Sequence, residues 1–167
     1  AGMYAVWHGP EGLCRIARTV HARTRNLAAG LRARGYALDD TPFFDTLRVT
    51  LAGEEEAKSI VAAALAEGFN LRHDPGTPWV GIALDETTTR EDVDSLLTAF
   101  NRDAGIDTIE DPMIPGDGDP DWPDTMLRRE PLLAHAAFHT CHSETQMLRY
   151  ITRLQDELRE KGYRKDL

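Results

Sequence analysis

The chain has 167 residues, 41% hydrophobic and 28% charged, the size and balance of one globular domain with appendages. A formal net charge of −9 argues against nonspecific binding to nucleic acid or to anionic membranes, which need a basic face. No apolar run reaches the roughly 20 residues of a membrane span.

The opening, Ala1-Gly2-Met3-Tyr4-Ala5-Val6-Trp7, lacks the basic region of a signal peptide and does not begin with methionine. It reads as the end of a helix begun earlier, so the chain is expected to be cut from something longer. His8-Gly9-Pro10-Glu11-Gly12 punctuates it. Pro10 suits a first helical position with Glu11 near the positive end of the dipole. Leu13, Ile16, Ala17, Val20, Leu27, Ala28 and Leu31 then recur at helical spacing, and Gly35 fits a C-terminal cap. Arg15, Arg18, Arg23, Arg25, Arg32 and Arg34 cover much of the rest of this helix. Either a phosphate contact or a solvated face accounts for them, and the acidic chain favours the solvated face.

Phe44–Leu51 reads as a strand, with Leu47, Val49 and Leu51 on one face. After Gly53, Ala57, Ile60, Val61, Ala64 and Leu65 predict a second helix closed by Gly68. Residues 70–74 and 79–84 flank a turn with Pro75, Gly76 and Pro78, and predict a hairpin. Thr89 with Asp92 predicts a capping box. Val93, Leu96, Leu97 and Phe100 follow as a third helical stripe. Strand, helix, strand, strand, helix gives an α/β (α+β) layer with helices on one face of a small mixed sheet.

From residue 107 to 124, acids alternate with prolines and glycines as in a surface loop. Asp117, Asp119 and Asp121 imitate a calcium loop, but Trp122 stands where glycine is needed and Arg128 where the final glutamate belongs. Ser143 with Gln146 predicts a capped helix carrying Met147, Ile151, Leu154 and Leu158 at 4-3-4 spacing, a face that wants a partner. The domain reading is therefore 1–104 as interdomain helix and small α/β domain, 105–126 as acidic loop, and 127–167 as connector with an amphipathic helix. The stripes of Leu13–Leu31 and Met147–Leu158 are expected to meet missing domains, or each other.

Candidate chemistry is sparse. His135, His139 and His142 with Cys141 could line one helix and hold zinc, but the helix start at Ser143 makes a single continuous helix doubtful, and loop packing or capping competes. Asp85 and Glu86 follow a strand and precede a helix, where capping is the default. The turn from Gly9 to Gly12 is a poor phosphate cradle, because Pro10 has no N–H and Glu11 repels an anion. Cys14 and Cys141 read as reduced thiols of a cytosolic-type protein. The lysines are Lys58, on a polar helix side, and Lys161 and Lys165, in a charged tail. None is placed to be desolvated and to form an imine.

Five ordered segments resemble the P-protein family of the glycine cleavage system. They are Met3–Leu13, residues 15–31, Phe43–Leu47, Leu84–Val93 and His142–Tyr150, so that the likeness covers about residues 3–154. The tail from Gln155 departs from the family passage, as does the loop at 107–124.

The resemblance implies the small domain of the first half of an aspartate-aminotransferase-like, pyridoxal-phosphate enzyme, with the connector into the second half. It implies a parent oxidoreductase that decarboxylates glycine and passes an aminomethyl group to the lipoyl arm of the H-protein. Its partners are the missing domains and a homo- or pseudo-dimer mate, and its location is the cytoplasm, or the mitochondrial matrix in a eukaryote. The family's cofactor lysine belongs to the second half, so no catalytic, cofactor-binding or metal residue is assigned here and the isolated chain is expected to be inactive. A free-standing ferredoxin-like ligand-binding or regulatory module is the alternative.

Overall fold

The computed structural model describes residues 1–100 and 124–162. Residues 105–123 of the expected acidic loop, the calcium-like motif apart from Arg128, and the end of the tail lie outside the described residues; the last residues of that loop, Asp124–Met126, form a short 3-10 helix. The chain divides into two compact units. One comprises Ala1–Arg15 with the described part of Pro123–Leu167, the other the described part of Ile16–Trp122.

Helix α1, Gly2–Ala33, is two helical stretches joined at Gly9, whose backbone (φ 64°, ψ −180°) is not helical. The expected punctuation at residues 8–12 is thus a kink inside a longer element. Pro10, just past it, removes an N–H at the place where a helix can do without one. Gly35 has φ 82°, the left-handed conformation that ends helices.

The larger unit is built on a three-stranded sheet of order β1-β2-β3: Ala37–Leu38, Thr46–Thr50 and Trp79–Ala83. Leu47 pairs with Ile82, and Val49 with Val80 and Leu38. All four of Leu47, Val49, Val80 and Ile82 are buried, while Thr46, Arg48 and Thr50 between them are exposed, so the period-2 alternation sets one face inward. Helices α2, Glu54–Ala66, and α3, Arg90–Ala99, close that face with Ala57, Ile60, Ala64, Val93, Leu96 and Leu97. Val20, Leu27, Ala28 and Leu31 of α1 complete the same core. Each large apolar side chain there contributes roughly 1.5–3 kcal/mol before entropy is subtracted.

Four expectations need correction. Both described ladders are antiparallel, so the sheet is not mixed. The first arm of the expected hairpin shrinks to one bridge, Arg72 to Gly81, because the Asp74–Thr77 turn leaves the chain in register for a single pair. Leu65 is 63% exposed, on the outer side of α2, away from Ile60 and Ala64. The C-terminal part of the α1 stripe is covered by this chain's own sheet and helices and has no need of missing domains.

In the smaller unit, Val6, Ala137 and Cys141 are buried. It contains the short α4, Ala137–Thr140, and α5, Glu144–Glu160, in which no residue is fully buried. Ser143 caps α5 by accepting from the Gln146 N–H, as expected, but the Gln146 side chain accepts from the His142 N–H instead of the Ser143 N–H. The box is displaced by one residue.

Candidate functional site

The kink at Gly9 shapes a polar cleft of about 520 Å³. Trp7, His8, Glu11, Arg15, His139 and His142 line it. His142 Nδ1 donates to the Trp7 carbonyl at 2.8 Å, tying the turn before α5 to the end of the first helical stretch. The approach is close: a β-carbon on Gly9 would stand 2.7 Å from His142 Cε1 and 2.7 Å from the Phe138 carbonyl. Only glycine tolerates both that space and that backbone conformation. His8 packs its ring on Tyr4, with centroids 4.3 Å apart.

The other histidines are also engaged locally. His139 Nε2 donates to the Leu133 carbonyl at 3.0 Å, and His135 Nδ1 accepts from the Ala137 N–H at 3.2 Å. Among the described residues no three His, Cys, Asp or Glu side chains converge as a metal site. α4 spans only four residues and ends before Cys141, so the single helix that zinc ligation required is absent. His135, His139 and His142 each hydrogen-bond a backbone group.

In the larger unit the loop after β3 is a network of caps. Asp85 Oδ1 accepts from the Thr87 hydroxyl at 2.6 Å and from the Thr87 and Thr88 N–H groups at 2.9 and 3.2 Å. The Thr87 hydroxyl, then its N–H, holds the Asp85 carboxyl below the ordinary aspartate value. Asp92 Oδ2 accepts from the Thr89 N–H at 2.7 Å, while Thr89 Oγ1 accepts from the Asp92 N–H at 3.1 Å, a complete capping box. The Thr89 N–H, then its hydroxyl, lowers the Asp92 pKa. Arg23 donates to the Thr88 carbonyl. Arg23, expected on a solvated face, thus turns to a backbone carbonyl, and sequence reasoning did not single out His21, whose ring stacks on Phe44 at 5.7 Å and bonds the Phe44 carbonyl at 2.9 Å. Both lie on a helix whose polar residues gave no sign of which would turn inward.

Lys58 donates to Glu55 at 2.9 Å and lies 3.1 Å from Glu54. The hydrogen bond to Glu55, then that to Glu54, holds its ammonium above the ordinary lysine value. That is the opposite of what an imine-forming amine needs.

Fold and site together define an α/β module whose titratable side chains, where they are engaged, cap and brace it. The chain belongs to the glycine cleavage system P-protein family, matching it over residues 1–100. It is 46% identical over 156 residues to a glycine dehydrogenase (decarboxylating) of Bradyrhizobium sp. strain ORS 278, covering 93% of this chain and 15% of that protein. It is 44% identical over 162 residues to that of Psychromonas ingrahamii, covering 94% and 16%, and 43% identical over 156 residues to that of Yersinia pestis, covering 93% and 16%. A serine palmitoyltransferase of Sphingomonas wittichii is similar in structure over 49% of this chain and 22% of its own, at 25% identity and a TM-score of 0.43. The chain thus spans about 15% of the curated relatives it matches. The family match does not favour the free-standing ferredoxin-like reading. Among the described residues, no helix is long and apolar enough to cross a membrane.

Proposed function

We propose that this chain is a structural part of a pyridoxal-phosphate-dependent glycine decarboxylase, the small domain of its first half (1–104) and the connector (127–167) into its second. The parent decarboxylates glycine in the cytoplasm and transfers the aminomethyl group to the lipoyl arm of the H-protein. The carrying observation is 46% identity over 93% of this chain against 15% of a glycine dehydrogenase.

The described residues do not fit pyridoxal phosphate as a resident group. The cofactor needs a lysine amine that gives up its proton; Lys58 is held protonated by two carboxylates, and Lys161 is exposed at the end of α5. It also needs a cradle of backbone N–H groups for its phosphate, and the turn at Gly9 offers Pro10 and Glu11. The chain's part is therefore to hold a shape. The helix stripe, the sheet and the two capped turns fix where its polypeptide neighbours sit.

Two measurements test this. The purified chain with pyridoxal phosphate and carboxyl-labelled glycine releases no labelled carbon dioxide above the cofactor-alone background. Exchanged for the matching segment of the Psychromonas ingrahamii protein, it supports decarboxylation by the chimera. Release that depends on the isolated chain, or a folded, cofactor-loaded chimera without activity, contradicts the proposal.

A further inference from the structure

Between residues 12 and 38 the chain has no aspartate or glutamate, although it carries 28 acidic against 19 basic residues overall. Arg18, Arg25 and Arg32 recur at intervals of seven within that stretch, all on α1 and all exposed. Seven residues are close to two helical turns, so the three guanidinium groups form one stripe with a spacing of about 10 Å. The opposite side of the helix, with Thr24, Leu27 and Leu31, is buried in the core, which fixes the rotation of the stripe toward solvent. Arg23 and Arg34, off the stripe, bond the Thr88 and Gly30 carbonyls. Among the described residues, no carboxylate is within ion-pair distance of Arg18, Arg25 or Arg32, whereas Arg48, Arg72, Arg90, Arg129, Arg153 and Arg159 each have one.

We propose that this stripe is a docking surface for an acidic polypeptide face. Carboxylates on a partner helix or strand can meet planar guanidinium groups in paired hydrogen bonds, and three in a row set a register along the helix. The net charge of −9 repels every anionic partner alike, so binding needs carboxylates matched to the spacing of the stripe, about 10 Å, which a polypeptide face supplies. The inference rests on the helix alone and stands apart from the assignment of the parent enzyme.

The full chain is tested against immobilised poly-L-glutamate, heparin and phosphatidylserine vesicles at about 0.05 M and about 0.3 M salt, on either side of a Debye length of about 10 Å. The expected result is binding to poly-L-glutamate that weakens with salt. A triple variant, Arg18→Gln, Arg25→Gln and Arg32→Gln, weakens it about tenfold with an unchanged melting curve. A second triple variant, to lysine at the same sites, retains more binding than the glutamine variant, and Arg128→Gln with Arg129→Gln binds as the parent chain does. No binding to poly-L-glutamate, equal binding by the glutamine variant, or tighter capture by heparin or by the vesicles overturns the proposal.

Discussion

His142 Nδ1 bonds the Trp7 carbonyl at 2.8 Å across 135 positions of sequence, and Gly9 lies beneath the same ring. The contact makes one substitution decisive. Gly9→Ala puts a side chain into a backbone conformation reserved for glycine and drives its β-carbon to 2.7 Å from both His142 Cε1 and the Phe138 carbonyl. The expected cost is about 2–4 kcal/mol, from backbone strain of about 1–3 kcal/mol and the overlap. Gly35→Ala, with φ +82° and open space around it, costs only about 1 kcal/mol. Thermal or urea unfolding of the two variants separates the terms. Equal losses would show that the ring above Gly9 yields.

The core makes a second comparison. Leu31→Ala removes a fully buried side chain and costs about 2–5 kcal/mol. Leu65→Ala, at a position 63% exposed, changes stability by less than about 0.5 kcal/mol. Periodicity placed both residues in apolar stripes. It distinguishes them poorly, because a stripe of Ala57, Ile60, Val61, Ala64 and Leu65 is wider than the face the sheet covers.

Thr89→Ala removes the N-cap of α3 and costs about 1 kcal/mol, measured by denaturant unfolding. That cap was legible in the sequence because its partners are three residues apart. The strand Ala37–Leu38 was not, since two residues become a strand only by pairing with Val49 and Thr50. The bond from His142 to Trp7 was likewise illegible. A histidine before a capped helix announces a role in a turn, and nothing local names a carbonyl at the other end of the chain. The candidate site was thus half visible. The residues of the kink and of the histidine cluster stood out separately, and their meeting is a tertiary fact.

Acid should weaken the larger unit through the same caps. Asp85 and Asp92 have folded pKa values below the ordinary aspartate value because their ionised forms accept threonine N–H and O–H bonds. Such groups stabilise the fold above the unfolded pKa of about 3.9, and that contribution fades as pH falls through the lower folded values. Carboxyl NMR titration should place both below ordinary aspartates. Asp92→Asn, which keeps an acceptor without a charge, should flatten the acid limb of the stability curve. An unchanged limb would mean that other carboxylates set it.

The amines of Lys58, Lys161 and Lys165 offer the most direct test. Pyridoxal phosphate is added to the folded chain, the mixture is reduced with borohydride, and pyridoxyl groups are mapped by peptide mass. The account predicts only substoichiometric labelling, spread over Lys58, Lys161 and Lys165 and no greater in the folded than in the unfolded chain. One equivalent fixed on a single lysine, present when the chain is folded and lost when it is unfolded, would contradict it.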